Sequence, residues 1–256
     1  MNWLEIKNSA DNTHFLFEGK PLFNKKFIEI LKFHPPGIAP VRDETGAYHI
    51  NASGKSLYAE RYTRTFGFYC NRSAIINGEN WFHIDENGKR TYFESYAWVG
   101  NYQENLCTIR DFDNYYFHIN LSGDKIYKDK YLYCGDFKDG FACVRQHNGL
   151  FKHIDCNGCF INDKEFLDLG VFHKNFATAK DKDGWFHIDF SGKQIYSRRF
   201  ANIEPFYNGQ AKVELFDGNL EIIEETGETV VKFSQRFFLS YCPFPRKFLH
   251  NHFIHT

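Results

Sequence analysis

Histidine recurs in this 256-residue sequence at His14, His49, His83, His118, His153 and His187, with Ile222 where a seventh would fall. Imidazole binds metals well and titrates near neutrality, so a ring of such side chains could hold a metal ion or an anion. In Phe82-His83-Ile84-Asp85 the alternation of a strand puts His and Asp on one face and Phe and Ile on the other. A residue that every unit repeats is better explained as architecture. Each His would then order its own hairpin by bonding a neighbouring backbone group or the Asp two residues on. The metal candidates are accordingly His49, His83, His118, His153 and His187, with the architectural role favoured over ligation.

A second polar column, Asn51, Asp85, Asn120, Asp155 and Asp189, could suggest paired carboxylates or a calcium site. Asn replaces Asp freely in it, which a general acid or base would not tolerate. Short side-chain oxygens at the start of a turn satisfy turn amides, and that reading fits better. Cys156-Asn157-Gly158-Cys159 is a lone CxxC without the second pair or His partners of a zinc site. It falls across a turn in columns held elsewhere by Ala52, Glu86, Lys55 and Lys89, and reads as drift. No Gly-rich loop joins a strand to a helix, and there is no nucleophile elbow or HExxH. The expectation is a non-catalytic chain with no catalytic residue and no cofactor.

These residues are positioned by a repeat. Glycines at 19, 54, 88, 123, 158, 192 and 227 close similar turns, spaced 35, 34, 35, 35, 34 and 35 residues apart. Eight residues after Gly stands Phe27, Tyr62, Tyr96, Tyr131, Phe166 or Phe200; fourteen after it stands Phe33, Phe68, Tyr102, Phe137, Phe172 or Phe206. Trp185-Phe186-His187-Ile188 reads as a half-buried strand, Asp189-Phe190-Ser191-Gly192 as a type I turn whose Gly is left-handed, and Ala211-Lys212-Val213 as a third strand type. The fold class is therefore all-β, with seven tandem repeats of about 35 residues in residues 1–233. Three-stranded units cannot bury both faces alone and must stack. A closed seven-bladed β-propeller with three-stranded blades is favoured over an open β-solenoid or superhelix, because closure removes exposed edges.

Composition narrows the class of function. Aromatic residues make up 19% of the chain (29 Phe, 15 Tyr, 4 Trp), which excludes a disordered chain. A net charge of −1 argues against nucleic acid as partner. No run of apolar residues is long enough to span a membrane. The first residues lack the apolar stretch of a secretory signal, and seven Cys are an odd number for a disulfide framework, so a cytoplasmic location is expected. The segment 234–256 stands apart: it is aromatic and basic, contains no acidic residue, and is interrupted by Cys242-Pro243-Phe244-Pro245. Its candidate binding residues are Arg236, Phe237, Phe238, Tyr241, Arg246 and Phe248, of the aromatic-plus-Arg composition that anchors interfaces.

Asn80-Trp81-Phe82-His83-Ile84-Asp85-Glu86-Asn87-Gly88-Lys89, Gly184-Trp185-Phe186-His187-Ile188-Asp189-Phe190-Ser191-Gly192-Lys193 and Phe206-Tyr207-Asn208-Gly209-Gln210-Ala211-Lys212-Val213 resemble the bacterial WG (KWG-like) repeat. Phe137-Lys138-Asp139-Gly140-Phe141-Ala142-Cys143-Val144 resembles its second half, and the likeness covers about 230 of the 256 residues. The His-containing form is similar to arrays placed ahead of methyltransferase-like domains, with no such domain expected here. The resemblance implies an all-β interaction module without catalytic residues. The expected function is protein binding, or scaffolding that presents substrate to a partner enzyme or an adjacent enzyme domain. Two alternatives remain: a lectin-like propeller whose partner is a glycan, and a metal or anion site built from the His column.

Overall fold

A computed structural model of the chain describes residues 2–233. Its elements are short strands joined by tight turns, with a single 3-10 turn at Trp3–Glu5 and no α-helix among the described residues. The recurring hairpin follows from local chemistry. Gly88 and Gly192 sit at φ +79° and +75°, a conformation an L side chain rarely adopts, and each closes the turn back to the preceding Asp carbonyl. Seven antiparallel sheets follow one another along the sequence, and the fold is of the β-propeller class.

Two compact units divide the chain, Met1–Lys174 and Asn175–Thr256. The first holds five three-stranded sheets. The first of these combines Lys7–Asn8, Phe15–Phe17 and Lys20–Pro21. The second and third each place a strand of six residues at the centre, Ile38–Asp43 and Arg72–Asn77. In the fourth, Trp98–Val99 pairs with Leu106–Arg110, which pairs with Tyr116–Asn120. The fifth repeats this with Tyr133–Cys134, Phe141–Arg145 and Phe151–Asp155. Small or β-branched residues on the middle strands, such as Ala142 and Val144, let neighbouring layers approach closely, and Ile50, Ile75, Ile84, Ile109, Ile119 and Ile154 are fully buried.

The second unit contains the hairpin Ala177–Asp181 with Gly184–Ile188, and the seventh sheet. That sheet has four strands rather than the expected three: Asn202–Ile203, Gln210–Glu214, Leu220–Glu224 and Thr229–Phe233. In the second to sixth units the segment after the turn makes at most an isolated bridge, such as Ile84 with Arg90 or Ile188 with Gln194, and in the first it is the two-residue strand Lys20–Pro21. The β-branched run Thr229-Val230-Val231 keeps the seventh extended along its partner. A second correction concerns the outer strands. The expected polar face is absent: Phe82, His83 and Ile84 are all buried, because aromatic rings cover the His side of the strand.

Candidate functional site

The His column makes one carbonyl contact in five units and adds a tyrosine in four of them, Asn162 standing in the tyrosine column of the fifth. His83 lies at 0% exposure; its Nε2 stands 2.9 Å from the Gly100 carbonyl and its Nδ1 2.6 Å from the Tyr92 hydroxyl. A carbonyl can only accept, so Nε2 carries the proton and Nδ1 accepts from the tyrosine. His118 repeats this with Gly135 O at 2.8 Å and Tyr127 OH at 2.5 Å, and His187 with Glu204 O at 3.0 Å and Tyr196 OH at 2.6 Å. His49 bonds the Phe66 carbonyl at 2.7 Å and the Tyr58 hydroxyl, while His153 donates to Gly170 O at 2.8 Å. The partner tyrosines stand four after Gly54, Gly88, Gly123 and Gly192, and the carbonyls lie twelve after the Gly, so each imidazole ties an outer strand to the chain that follows the turn. The aromatics fourteen after Gly close over the rings, with centroids 4.7 Å apart for His83 and Tyr102 and 4.6 Å for His118 and Phe137.

The same tyrosines also explain the glycines. A Cβ on Gly88 would stand 2.6 Å from the Tyr58 ring, and Gly158 and Gly227 meet Tyr127 and Tyr196 in the same way. Each Tyr thus bonds its own His and lies against the next unit's turn. Burial pushes His49, His83, His118, His153 and His187 down to about 4, because charging an imidazole there would cost its solvation. Burial likewise raises the partner tyrosines Tyr58, Tyr92, Tyr127 and Tyr196. His14 departs from the series: Phe23 replaces the tyrosine, and its Nδ1 lies 3.2 Å from the Thr13 hydroxyl.

The remaining candidates are accounted for locally. Asp85 Oδ1 accepts from the amides of Asn87 and Lys89, both at 2.9 Å, and Asn51, Asn120, Asp155 and Asp189 repeat the pattern. Of the two partners the sequence offered, the His bonds a backbone group, a carbonyl seventeen residues on, and not the Asp two residues on. The Asp oxygen is turned into the turn while the imidazole points across to the tyrosine. Cys156 and Cys159 are exposed at the fifth unit's turn, and among the described residues no three His, Cys, Asp or Glu side chains could hold a metal ion. Arg236, Phe237, Phe238, Tyr241, Arg246 and Phe248 lie outside the described residues. By sequence, Phe238 and Tyr241 stand eleven and fourteen residues after Gly227, in the columns of Val99 and Tyr102, so the repeat's spacing runs on into this segment.

A different set of residues breaks the repeat at the surface. On the fourth sheet Trp98, Arg110 and Tyr116 are direct cross-strand partners and share one face. On the fifth, Tyr133, Arg145 and Phe151 occupy the same row. Ring centroids run 6.5 Å from Trp98 to Tyr116, 5.9 Å to Tyr133 and 6.4 Å to Phe151, a continuous aromatic ladder over two sheets. Tyr133 is 45% exposed, and desolvation raises its hydroxyl to about 12. The corresponding first-strand residues of the second, third, sixth and seventh sheets are Glu29, Arg64, Asp168 and Asn202, so among the described residues this column is aromatic only at Trp98 and Tyr133. Comparing that column unit by unit is the signal by which sequence reasoning could have found it.

No protein-family model matches the sequence, and no curated protein does. Among solved structures, the chain is similar to the computationally designed Ika8 protein, with TM-score 0.50, 12% identity, and coverage of 89% of this chain and 83% of that one. BamB from Moraxella catarrhalis gives TM-score 0.48 at 11% identity over 92% and 86% of the two chains. The C-terminal WD40 domain of Sif2 gives 0.43 at 9% identity over 82% and 70%. At these identities the likeness to Ika8 is one of fold alone.

Proposed function

We propose that the chain is a non-catalytic repeat module of the WG-repeat kind that binds another protein. The observation that carries this reading is a division of labour among its polar and aromatic residues. The repeated His, Tyr and Asp/Asn side chains bond within the fold, whereas the ladder on the fourth and fifth sheets is half-exposed and serves no repeated contact. Aromatic residues and Arg are the types that dominate protein interfaces. A metal role for the histidines would need a free ring nitrogen. In His49, His83, His118 and His187 both nitrogens are bonded.

The test is affinity capture on the full chain, followed by titration of the purified captured protein against wild type and Tyr133→Ala. A saturable partner weakened by the substitution supports the reading. No saturable partner, together with several equivalent weak sites on a glycan array, would replace it with the carbohydrate reading.

A further inference from the structure

Two sheet arginines, Arg72 and Arg110, bury an Nε without a hydrogen-bond partner, but Arg72 still donates from Nη1 to the Asn71 carbonyl at 3.1 Å. The guanidinium of Arg110 makes no hydrogen bond or ion pair among the described residues. A charged donor left in that condition is costly unless something outside the chain completes it. The second sheet shows what completion looks like. There Arg42 occupies the same row and meets Glu29 at 3.3 Å, Glu29 being its partner on the first strand. In the fourth sheet that first-strand position is Trp98, so the carboxylate is missing and an indole stands in its place. Neighbouring acids do not replace it: Asp111 is bound to Lys130 at 2.5 Å, and Asp136 accepts from the Thr108 hydroxyl at 2.9 Å.

Resting on the reading above, we propose that the ladder Trp98–Tyr116–Tyr133–Phe151 is the docking surface for an extended peptide segment of a protein partner, one that carries an acidic side chain for Arg110 between apolar side chains. Spacing supports an extended occupant. Alternate side chains of a strand recur about every 6.6–6.8 Å, and the rings of the ladder are 5.9–6.5 Å apart. Successive rings are tilted by 57°, 52° and 61°, which leaves clefts for side chains rather than a flat platform for sugar or base stacking. Charge supports the acid: Arg145 is exposed in the same row, 5.7 Å from the Phe151 ring, and adds a second positive group. The chain's own segment 234–256 is a poor occupant, since it has no acidic side chain.

The probe is a library of random peptides displayed on phage, panned on the full-length chain, with enriched sequences then synthesised and titrated. Expected are clones with Asp or Glu flanked two residues away by apolar side chains. Their affinity should fall by about tenfold or more in Arg110→Gln and in Tyr133→Ala, with unchanged circular dichroism and melting temperature for both variants. Enriched peptides that bind both variants as well as wild type would overturn this site while leaving the binding-module reading intact. Enrichment without the acidic pattern, or no enrichment at all, would overturn the peptide assignment, and the capture experiment then judges the broader reading separately. Binding of glycans that Tyr133→Ala abolishes would assign the ladder to carbohydrate and overturn the proposal as well.

Discussion

The buried histidines and the aromatic ladder use similar residue types in the same sheets, yet they answer to different demands. Around His83 every polar atom has a partner: Gly100 takes the Nε2 proton, Tyr92 gives one to Nδ1, and Tyr102 covers the ring. Around Arg110, on the fourth sheet, a donor is left open and the neighbouring rings are half-exposed. The first arrangement recurs in successive units because it fastens each outer strand to the chain that leads into the next. The second occurs in two sheets because no unit needs it to fold. Repetition therefore marks architecture in this chain, and a local break in repetition marks the candidate surface.

That contrast can be broken by acid. The five buried histidines have folded values near 4, below the 6.5 of an exposed imidazole. The unfolded chain binds more protons between those values, so stability is complete above pH 6.5 and is lost as pH falls toward 4. The summed loss should reach on the order of 5 kcal/mol or more across that window, read by denaturant melts at a series of pH values. A flat profile would mean that the rings are accessible to water.

Single substitutions sharpen the comparison in decreasing steps. His83→Ala removes two hydrogen bonds, leaves the Tyr92 hydroxyl without its acceptor and the Gly100 carbonyl with only the Cys107 thiol, and opens a cavity. It should cost about 3–5 kcal/mol by urea unfolding. Tyr92→Phe removes only the hydroxyl donor and keeps the ring against its neighbours, for about 1 kcal/mol by the same measurement. Arg110→Met replaces an unpartnered guanidinium by an apolar chain of similar reach and should change stability by less than about 1 kcal/mol in either direction. A large loss there would return Arg110 to the architecture.

Much of the fold is legible in the sequence because its determinants are local and periodic. The glycines mark turns that need a positive φ, and the Asp/Asn residues cap the amides of those same turns. The His contact is only half legible. Tyr92 stands in a visible aromatic column, but its link to His83 crosses a turn and nine residues, and the nearer Asp85 is the more obvious partner. The second bond is invisible, since Gly100 contributes a carbonyl that any residue could supply. The ladder is illegible for the opposite reason: Trp98 and Arg110 look ordinary for strands, and only cross-strand pairing aligns them. The fourth strand of the last sheet depends on Thr229-Val230-Val231, a run without a repeat counterpart.

The most direct measurement is the protonation of the imidazoles themselves, by long-range proton–nitrogen NMR of the full chain between pH 7 and about pH 5. The carbonyl bond at Nε2 that all five rings share predicts neutral rings protonated at Nε2 for His49, His83, His118, His153 and His187, with no change on lowering the pH or adding zinc. Rings that titrate near 6.5, carry the proton on Nδ1, or shift when zinc is added would contradict it and return the His column to the metal or anion reading.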